Sequence, residues 1–214
     1  MGKLYIVATP IGNLEDITIR AIKTLLTVPV IACEDTRRTG MLIKLIKERY
    51  AGILNLKFEI LNTRFISVRD WNEQGQLMKI IEALQTSDVA LVSDAGTPLI
   101  SDPGYKLVNI VRTAGFEVVP IPGVSALTTA LSVSGLPTDR VKFWGFYNDK
   151  YELDKDATNV FFESPARIKE TIKNLERLDT EIVIANEMTK IHERFLKPDE
   201  IEGIRGEITL LISF

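Results

Sequence analysis

Along the first half of the chain, short uninterrupted apolar runs alternate with stretches whose apolar residues recur every three or four positions. Residues 4–8 form the first run, and Ile17, Ala21, Leu25 and Val28 follow at helical spacing. A second run, 30–33, precedes a helical stretch bearing Met41, Leu42, Leu45 and Ile46. Leu77, Ile80, Ile81 and Leu84 mark another helix before the run 89–92. A run without polar interruption reads as a strand covered on both faces, so the alternation predicts βα units and a parallel sheet between helices. Asp102-Pro103-Gly104 reads as a helix start, with Asp102 capping and Pro103 in the first helical position, and Gly115 suits the end of that helix.

Between Tyr50 and Trp71 the pattern is poorer, and Ile53, Leu54, Leu56, Phe58, Ile60 and Leu61 suit either a strand or an extra hairpin. After a strand at 116–119, Pro120-Ile121-Pro122-Gly123 punctuates the chain and predicts a boundary, giving domains 1–119 and 120–214. The second half is more strand-rich. A helix is expected over 125–134, strands at 141–146, 159–162, 182–185 and 207–212, and one further helix bearing Ile168, Ile172, Leu175 and Leu178. Residues 147–156 are charged and nearly free of aliphatics, which predicts a surface loop.

Composition narrows the chemistry. The 214 residues, 45% hydrophobic and 26% charged, suffice for a sizeable core. A formal net charge of −3 excludes a broad positive field, so any contact with nucleic acid must be local. One cysteine, Cys33, rules out an internal disulfide, and with the single histidine, His192, leaves too few soft ligands for zinc, so no metal site is expected. The apolar start at 4–8 is too short for a signal peptide or a membrane span, which predicts a cytoplasmic protein. Neither G-x-G-x-x-G nor a G-K-[ST] sequence occurs, which disfavours dinucleotide and nucleoside-triphosphate binding.

Chemistry-bearing residues gather where apolar runs end. The run 89–92 passes into Ser93-Asp94-Ala95-Gly96-Thr97-Pro98, an acidic, small, turn-forming cluster of the kind that borders ligands beyond strand carboxyl ends. Thr9-Pro10-Ile11-Gly12-Asn13 follows the first run at the same end of the sheet. Glu34-Asp35-Thr36-Arg37-Arg38 follows the second, where its charges hold one another or a polar substrate, or where Asp35 or Thr36 simply caps a helix; both readings stand. Pro122-Gly123-Val124-Ser125-Ala126 suits a carboxylate at a helix N-terminus and equally a tight strand-to-helix turn. Ser164 and Pro165 suit a helix start, with Glu163 facing a ligand as the alternative, and Glu187-Met188-Thr189-Lys190 ends a later strand. His192 reads as a surface histidine.

Taken in order, segments 4–13, 34–37, 93–98, 101–104, 122–126 and 187–190, with Leu136-Pro137-Thr138-Asp139-Arg140, closely resemble the ribosomal RNA small subunit methyltransferase I family. The likeness runs from 4 to 146 and again from 161 to 212. That family sits within the tetrapyrrole methylase superfamily, whose members bind S-adenosylmethionine in a cleft between two α/β domains. The resemblance implies an α/β protein of that type, with a mainly parallel sheet in the N-terminal domain and a mixed sheet in the C-terminal one. It implies methyl transfer from S-adenosylmethionine to the ribose 2′-oxygen of a cytidine in small-subunit ribosomal RNA, free or in the assembled subunit, by a homodimer without membrane association. By position, Pro10, Gly96, Thr97, Pro98, Ile100, Ser125, Ala126, Phe162 and Glu207 would line the cofactor site, several through backbone groups. Such a transfer is an in-line displacement governed by alignment, with a group to take the hydroxyl proton. Glu34, Asp35, Asp94, Asp102 and Glu187 are the candidates, unranked, with Arg37 and Lys190 anchoring phosphate or substrate.

The chain departs from that family in places. Arg69-Asp70-Trp71-Asn72-Glu73 stands where members carry His-x-His-Asn-Glu, and Trp71 there suits base stacking or buried packing. The segment after Gly145-Phe146 lacks a Leu-Pro-x-Lys element, and no further segment follows Phe214 as in longer members. Two other functions stay open: methylation of a corrinoid-type macrocycle or other small molecule, and a non-catalytic S-adenosylmethionine-binding assembly factor.

Overall fold

The computed structural model describes residues 1–50, 52–54, 63–69 and 73–214. Strands β1 (Lys3–Val7), β2 (Val30–Cys33), β3 (Arg64–Ser67), β4 (Val89–Val92) and β5 (Glu117–Ile121) form one sheet in the order β3-β2-β4-β1-β5, with every pairing parallel. β2 and β4 are buried at every residue, which is why each is an unbroken apolar run. On one face, α1 (Ile19–Thr27) and α2 (Thr36–Tyr50) pack Ile22, Leu25, Ile43 and Ile46 against Val7, Ile31 and Val92. On the other, α3 (Glu73–Thr86) and α4 (Tyr105–Thr113) pack Leu77, Ile80, Leu107 and Val111 against Leu4, Ala32 and Leu91. The chain therefore leaves β1 toward the α1 face and leaves its neighbour β4 toward the α4 face. Adjacent strand ends whose connections diverge in this way make the switch point at which open α/β sheets bind ligands.

Several elements differ in detail from the sequence expectations. α2 buries Thr39, Ile43 and Ile46, whereas Met41 and Leu45 are 58% and 41% exposed, because the stripe facing the sheet starts from a threonine that hydropathy does not mark. α4 begins at Tyr105 and not at Pro103. Leu99 and Ser101, at φ 73° and 63°, turn the chain first, and Gly104 at φ 127° is the N-cap residue, so Asp102 lies in the turn ahead of the cap position. Two strands have no counterpart in the hydropathy pattern, β3 and the short strand Arg194–Leu196; both are sheet edges. Of the undecided stretch after Tyr50, residues 55–61 lie outside the described residues, as does Trp71.

In the second sheet, β6 (Val141–Phe146), β7 (Thr158–Glu163), β8 (Glu181–Asn186), β9 (Arg194–Leu196) and β10 (Ile208–Ser213) run in the order β6-β7-β10-β8-β9. Only β6 and β7 pair in parallel, so this sheet is mixed. α6 (Ile168–Leu175) packs Ile168, Ile172 and Leu175 against Phe161, Ile184 and Leu210, and α5 (Ala126–Ser134) lies against β8 and β10. α6 starts three residues after Pro165, because the Ser164 carbonyl accepts the N–H groups of Arg167 and Ile168 (both 3.1 Å) and makes a separate turn ahead of the helix. Leu178 falls beyond the helix end and is 42% exposed.

The loop 147–156 is held from below by Asn159, which is fully buried. Its Oδ1 accepts from Trp144 Nε1 (3.0 Å) and the Asp154 N–H (2.9 Å), while Nδ2 donates to the carbonyls of Asp154 (2.8 Å) and Ala157 (3.0 Å). Tyr151 stacks on Trp144 at 4.9 Å. The chain divides into two units, Met1–Pro10 with Leu14–Val124, and Ile11–Asn13 with Ser125–Phe214. β5 runs to Ile121, so the first unit closes after that strand, a few residues past 119.

Candidate active site

At the switch point the first unit clips its strand ends together. The Thr9 N–H donates to the Gly96 carbonyl (2.9 Å), and the Gly96 N–H donates back to Thr9 (3.0 Å). The buried Thr9 hydroxyl adds a bond to the Ser93 carbonyl (3.3 Å). The Thr97 hydroxyl reaches the Val124 carbonyl (3.0 Å), beyond β5, so its contribution toward any ligand is left to its main chain. The turn after β4 is thus fixed from the ends of β1 and β5 as well as its own. Pro98 is buried in it, Pro10 is half-buried, and Ile100 is exposed.

The end of β2 is joined to the same turn by Asp94. Its Oδ1 accepts the Asp35 N–H (3.2 Å) and its Oδ2 accepts Arg38 (3.1 Å). Asp35 caps α2, with Oδ1 receiving the Arg37 N–H at 2.8 Å and the Arg38 N–H at 3.4 Å. The Arg37 N–H is the largest influence holding the Asp35 carboxyl below the usual range. Arg69 donates Nε–H to the Glu34 carbonyl (3.1 Å) and lies 4.0 Å from the Asp35 carboxylate. Arg38 and Arg69 are therefore engaged, whereas the exposed Arg37 side chain makes no hydrogen bond or ion pair among the described residues. Cys33 closes β2 fully buried, and burial pushes its thiol up to about 11 despite a hydrogen bond from Thr39.

In the second unit, Lys190 sits between two carboxylates. Its Nζ donates to Glu187 Oε1 (2.8 Å) and Glu207 Oε2 (2.9 Å), and Glu187 Oε1 also accepts the Glu207 N–H (2.8 Å). Burial alone would lower the Lys190 ammonium, but the two carboxylates outweigh it and hold it above its ordinary range. Glu187 is held low, first by the Lys190 hydrogen bond and then by the Glu207 N–H. Two glycines make room for this cluster. A Cβ on Gly206, at φ 75°, would collide with the Glu187 side chain, and one on Gly12 would lie 2.5 Å from Lys190 Cγ. Asn13 N–H completes the seam by donating to the Thr189 hydroxyl (3.1 Å).

Glu163 and Phe162 are held by neighbours within the second sheet and its helix. Glu163 is buried and accepts from the Thr171 hydroxyl (2.6 Å), the Ser164 N–H (2.7 Å) and Arg167 (2.8 Å). Phe162 meets Phe143 edge-on at 5.1 Å. Ser125 is the N-cap residue of α5 but makes no side-chain cap bond. The Arg38–Asp94 pair, the Gly206–Glu187 approach and the Gly12–Lys190 contact left no signal in the sequence, because each joins residues far apart along the chain.

Comparison with known proteins places this geometry in a class. The profile of the Tetrapyrrole (Corrin/Porphyrin) Methylases family matches residues 3–202. Among solved structures, uroporphyrin-III-C-methyltransferase from Thermus thermophilus superposes with a TM-score of 0.69 at 18% identity, covering 100% of this chain and 94% of that one. A form of that enzyme complexed with S-adenyl homocysteine gives a TM-score of 0.64 at 19% identity, covering 99% and 97%. Such likeness defines the fold of a tetrapyrrole methylase. Closer in sequence are proteins named Ribosomal RNA small subunit methyltransferase I. That of Thermotoga maritima is 42% identical over 100% of this chain and 99% of its own length, and that of Haemophilus influenzae is 45% identical over 90% and 68%. The chain belongs to the ribosomal RNA small subunit methyltransferase I family of tetrapyrrole methylases.

Proposed function

We propose that this protein transfers a methyl group from S-adenosylmethionine to the ribose 2′-oxygen of a cytidine in small-subunit ribosomal RNA. The observation that carries the reading is the reciprocal Thr9–Gly96 pair, which fixes a small-residue turn at the switch point of a chain of this family. On the first unit, the reading gives Pro10, Gly96, Thr97, Pro98 and Ile100 to S-adenosylmethionine. On the second, Ser125, Ala126, Phe162 and Glu207 hold the matching family positions. The residues suit the group: adenine needs apolar walls and main-chain partners, and prolines with a pinned turn provide both. A carboxylate suits the first turn of α5, whose N-cap side chain makes no bond of its own.

When bound, the cofactor supplies an electrophilic methyl group on a sulfonium. The protein's part is to align the attacking oxygen and take its proton. Asp35 is committed to capping α2 and Glu187 to Lys190, which makes both poor bases. Asp94, half-buried at the end of β4, holds one donor on each oxygen and keeps lone pairs for a ribose hydroxyl, so the reading assigns it the proton. Glu34, in the turn after β2, and Asp102, in the turn ahead of α4, take no part in this assignment. Arg37 takes a phosphate, and Lys190 braces its own turn.

The same reading makes the protein a cytoplasmic homodimer acting on ribosomal RNA or the assembled subunit. No helix among the described residues is long and apolar enough to cross a membrane. Purified protein given labelled S-adenosylmethionine should methylate RNA in small subunits that lack this modification. Label on a tetrapyrrole instead, or none on RNA, would overturn the reading, and sedimentation of a monomer at working concentration would remove the dimer.

A further inference from the structure

Beyond the strand-end turns, α4 carries an unusual outer face. Tyr105 opens the helix and is 72% exposed. Asn109 and Arg112 follow at four and seven residues, on the same side and about 6 and 10 Å along the axis. Beside them runs a groove of ≈ 480 Å³ floored by Leu99 and Val108. The buried side of the helix is Leu107 and Val111, so the outer strip is not needed for packing. In a chain with 29 acidic and 26 basic residues, α4 holds Lys106 and Arg112 and no acid. The Arg112 guanidinium makes no hydrogen bond or ion pair among the described residues.

A flat ring, an amide and an uncompensated guanidinium in one line match a nucleotide strand: the ring stacks a base, the amide meets a base edge, and the cation meets phosphate. We infer that the α4 strip binds a short single-stranded stretch of the RNA substrate, with one base on Tyr105 and a neighbouring phosphate on Arg112. The inference rests on the ribosomal RNA reading above.

The test is binding of a short unstructured, fluorescently labelled oligoribonucleotide to the full chain, with S-adenosylmethionine affinity measured in parallel. Tyr105→Ala should weaken the oligonucleotide about ten-fold, while Tyr105→Trp keeps the affinity and shows quenched emission on binding. Arg112→Gln should weaken all sequences alike and reduce the slope of log affinity against log salt by about 0.7. Cofactor affinity should stay unchanged in all three. If wild type methylates subunit RNA yet Tyr105→Ala and Arg112→Gln bind the oligonucleotide as wild type does, this inference fails alone. If wild type methylates no RNA, the reading beneath it fails. Loss of a dimer in either variant would make the face an interface between copies and also overturn the inference.

Discussion

Asp94 shows how one side chain serves both geometry and chemistry. Replacement by Asn leaves an oxygen for the Asp35 N–H but removes the charge that holds Arg38 and the lone pairs proposed to take a proton. Asp94→Asn should lower kcat about 100-fold with cofactor affinity unchanged by calorimetry; wild-type turnover would move the base elsewhere. The Glu187–Lys190 pair predicts a pH dependence. Glu187 is depressed below its ordinary 4.5, chiefly by Lys190, so its stabilisation is present above that value and is lost as pH falls through the folded pKa. Lys190 lies above its ordinary 10.5, so its share is present below that value and is lost as pH rises through its folded pKa. Urea stability of the wild type should therefore fall more steeply below pH 4.5 than that of Glu187→Gln. Parallel acid limbs would show that the pair stabilises nothing. The Gly206→Ala substitution meets both a φ of 75° and the Glu187 side chain, and should cost about 1–3 kcal/mol in urea unfolding.

Elements were legible in the sequence where burial is symmetrical or periodic. β2 and β4 are enclosed on both faces and stand out as apolar runs, and α3 and α6 show their buried stripes directly. Edge strands have only one partner and tolerate polar residues, which is why Arg64 and Ser67 in β3 and Arg194 in β9 left no pattern to read. The site was legible as turns and not as contacts. Thr9-Pro10 and Ser93–Pro98 were identifiable by composition, but Asp94 and Arg38 are 56 positions apart, and nothing in linear spacing joins them. The loop 147–156 illustrates the same limit: its sequence says surface, while its anchor, Asn159, lies in the following strand. Asn159→Ala would leave the Trp144 N–H and three backbone groups without this partner, for a cost of about 3 kcal/mol. Trp144 emission should shift red in the native variant, since the loop stacked on it through Tyr151 would loosen; an unchanged spectrum and unfolding midpoint would show that the aromatic stack alone holds the loop.

At the scale of the molecule, charge decides how RNA can be held. A net charge of −3 repels a polyanion at long range, and many basic side chains are already paired internally, including Lys3 with Glu117, Arg167 with Glu163 and Lys190 with Glu207. Affinity must then come from a few unpaired cations together with stacking, which is nearly insensitive to salt. Arg37 and Arg112 meet that description, on two different elements of the first unit. With two phosphate contacts to a single strand, log affinity should fall against log salt with a slope of about −1.4, far shallower than for a protein with a continuous basic surface. Titrations of the labelled oligonucleotide across a salt series measure this directly, and Arg37→Gln combined with Arg112→Gln should flatten the slope toward zero while leaving the stacking contribution of Tyr105 in place. A slope steeper than about −4 would require several further phosphate contacts, and would overturn the assignment of the charge contacts to Arg37 and Arg112 alone.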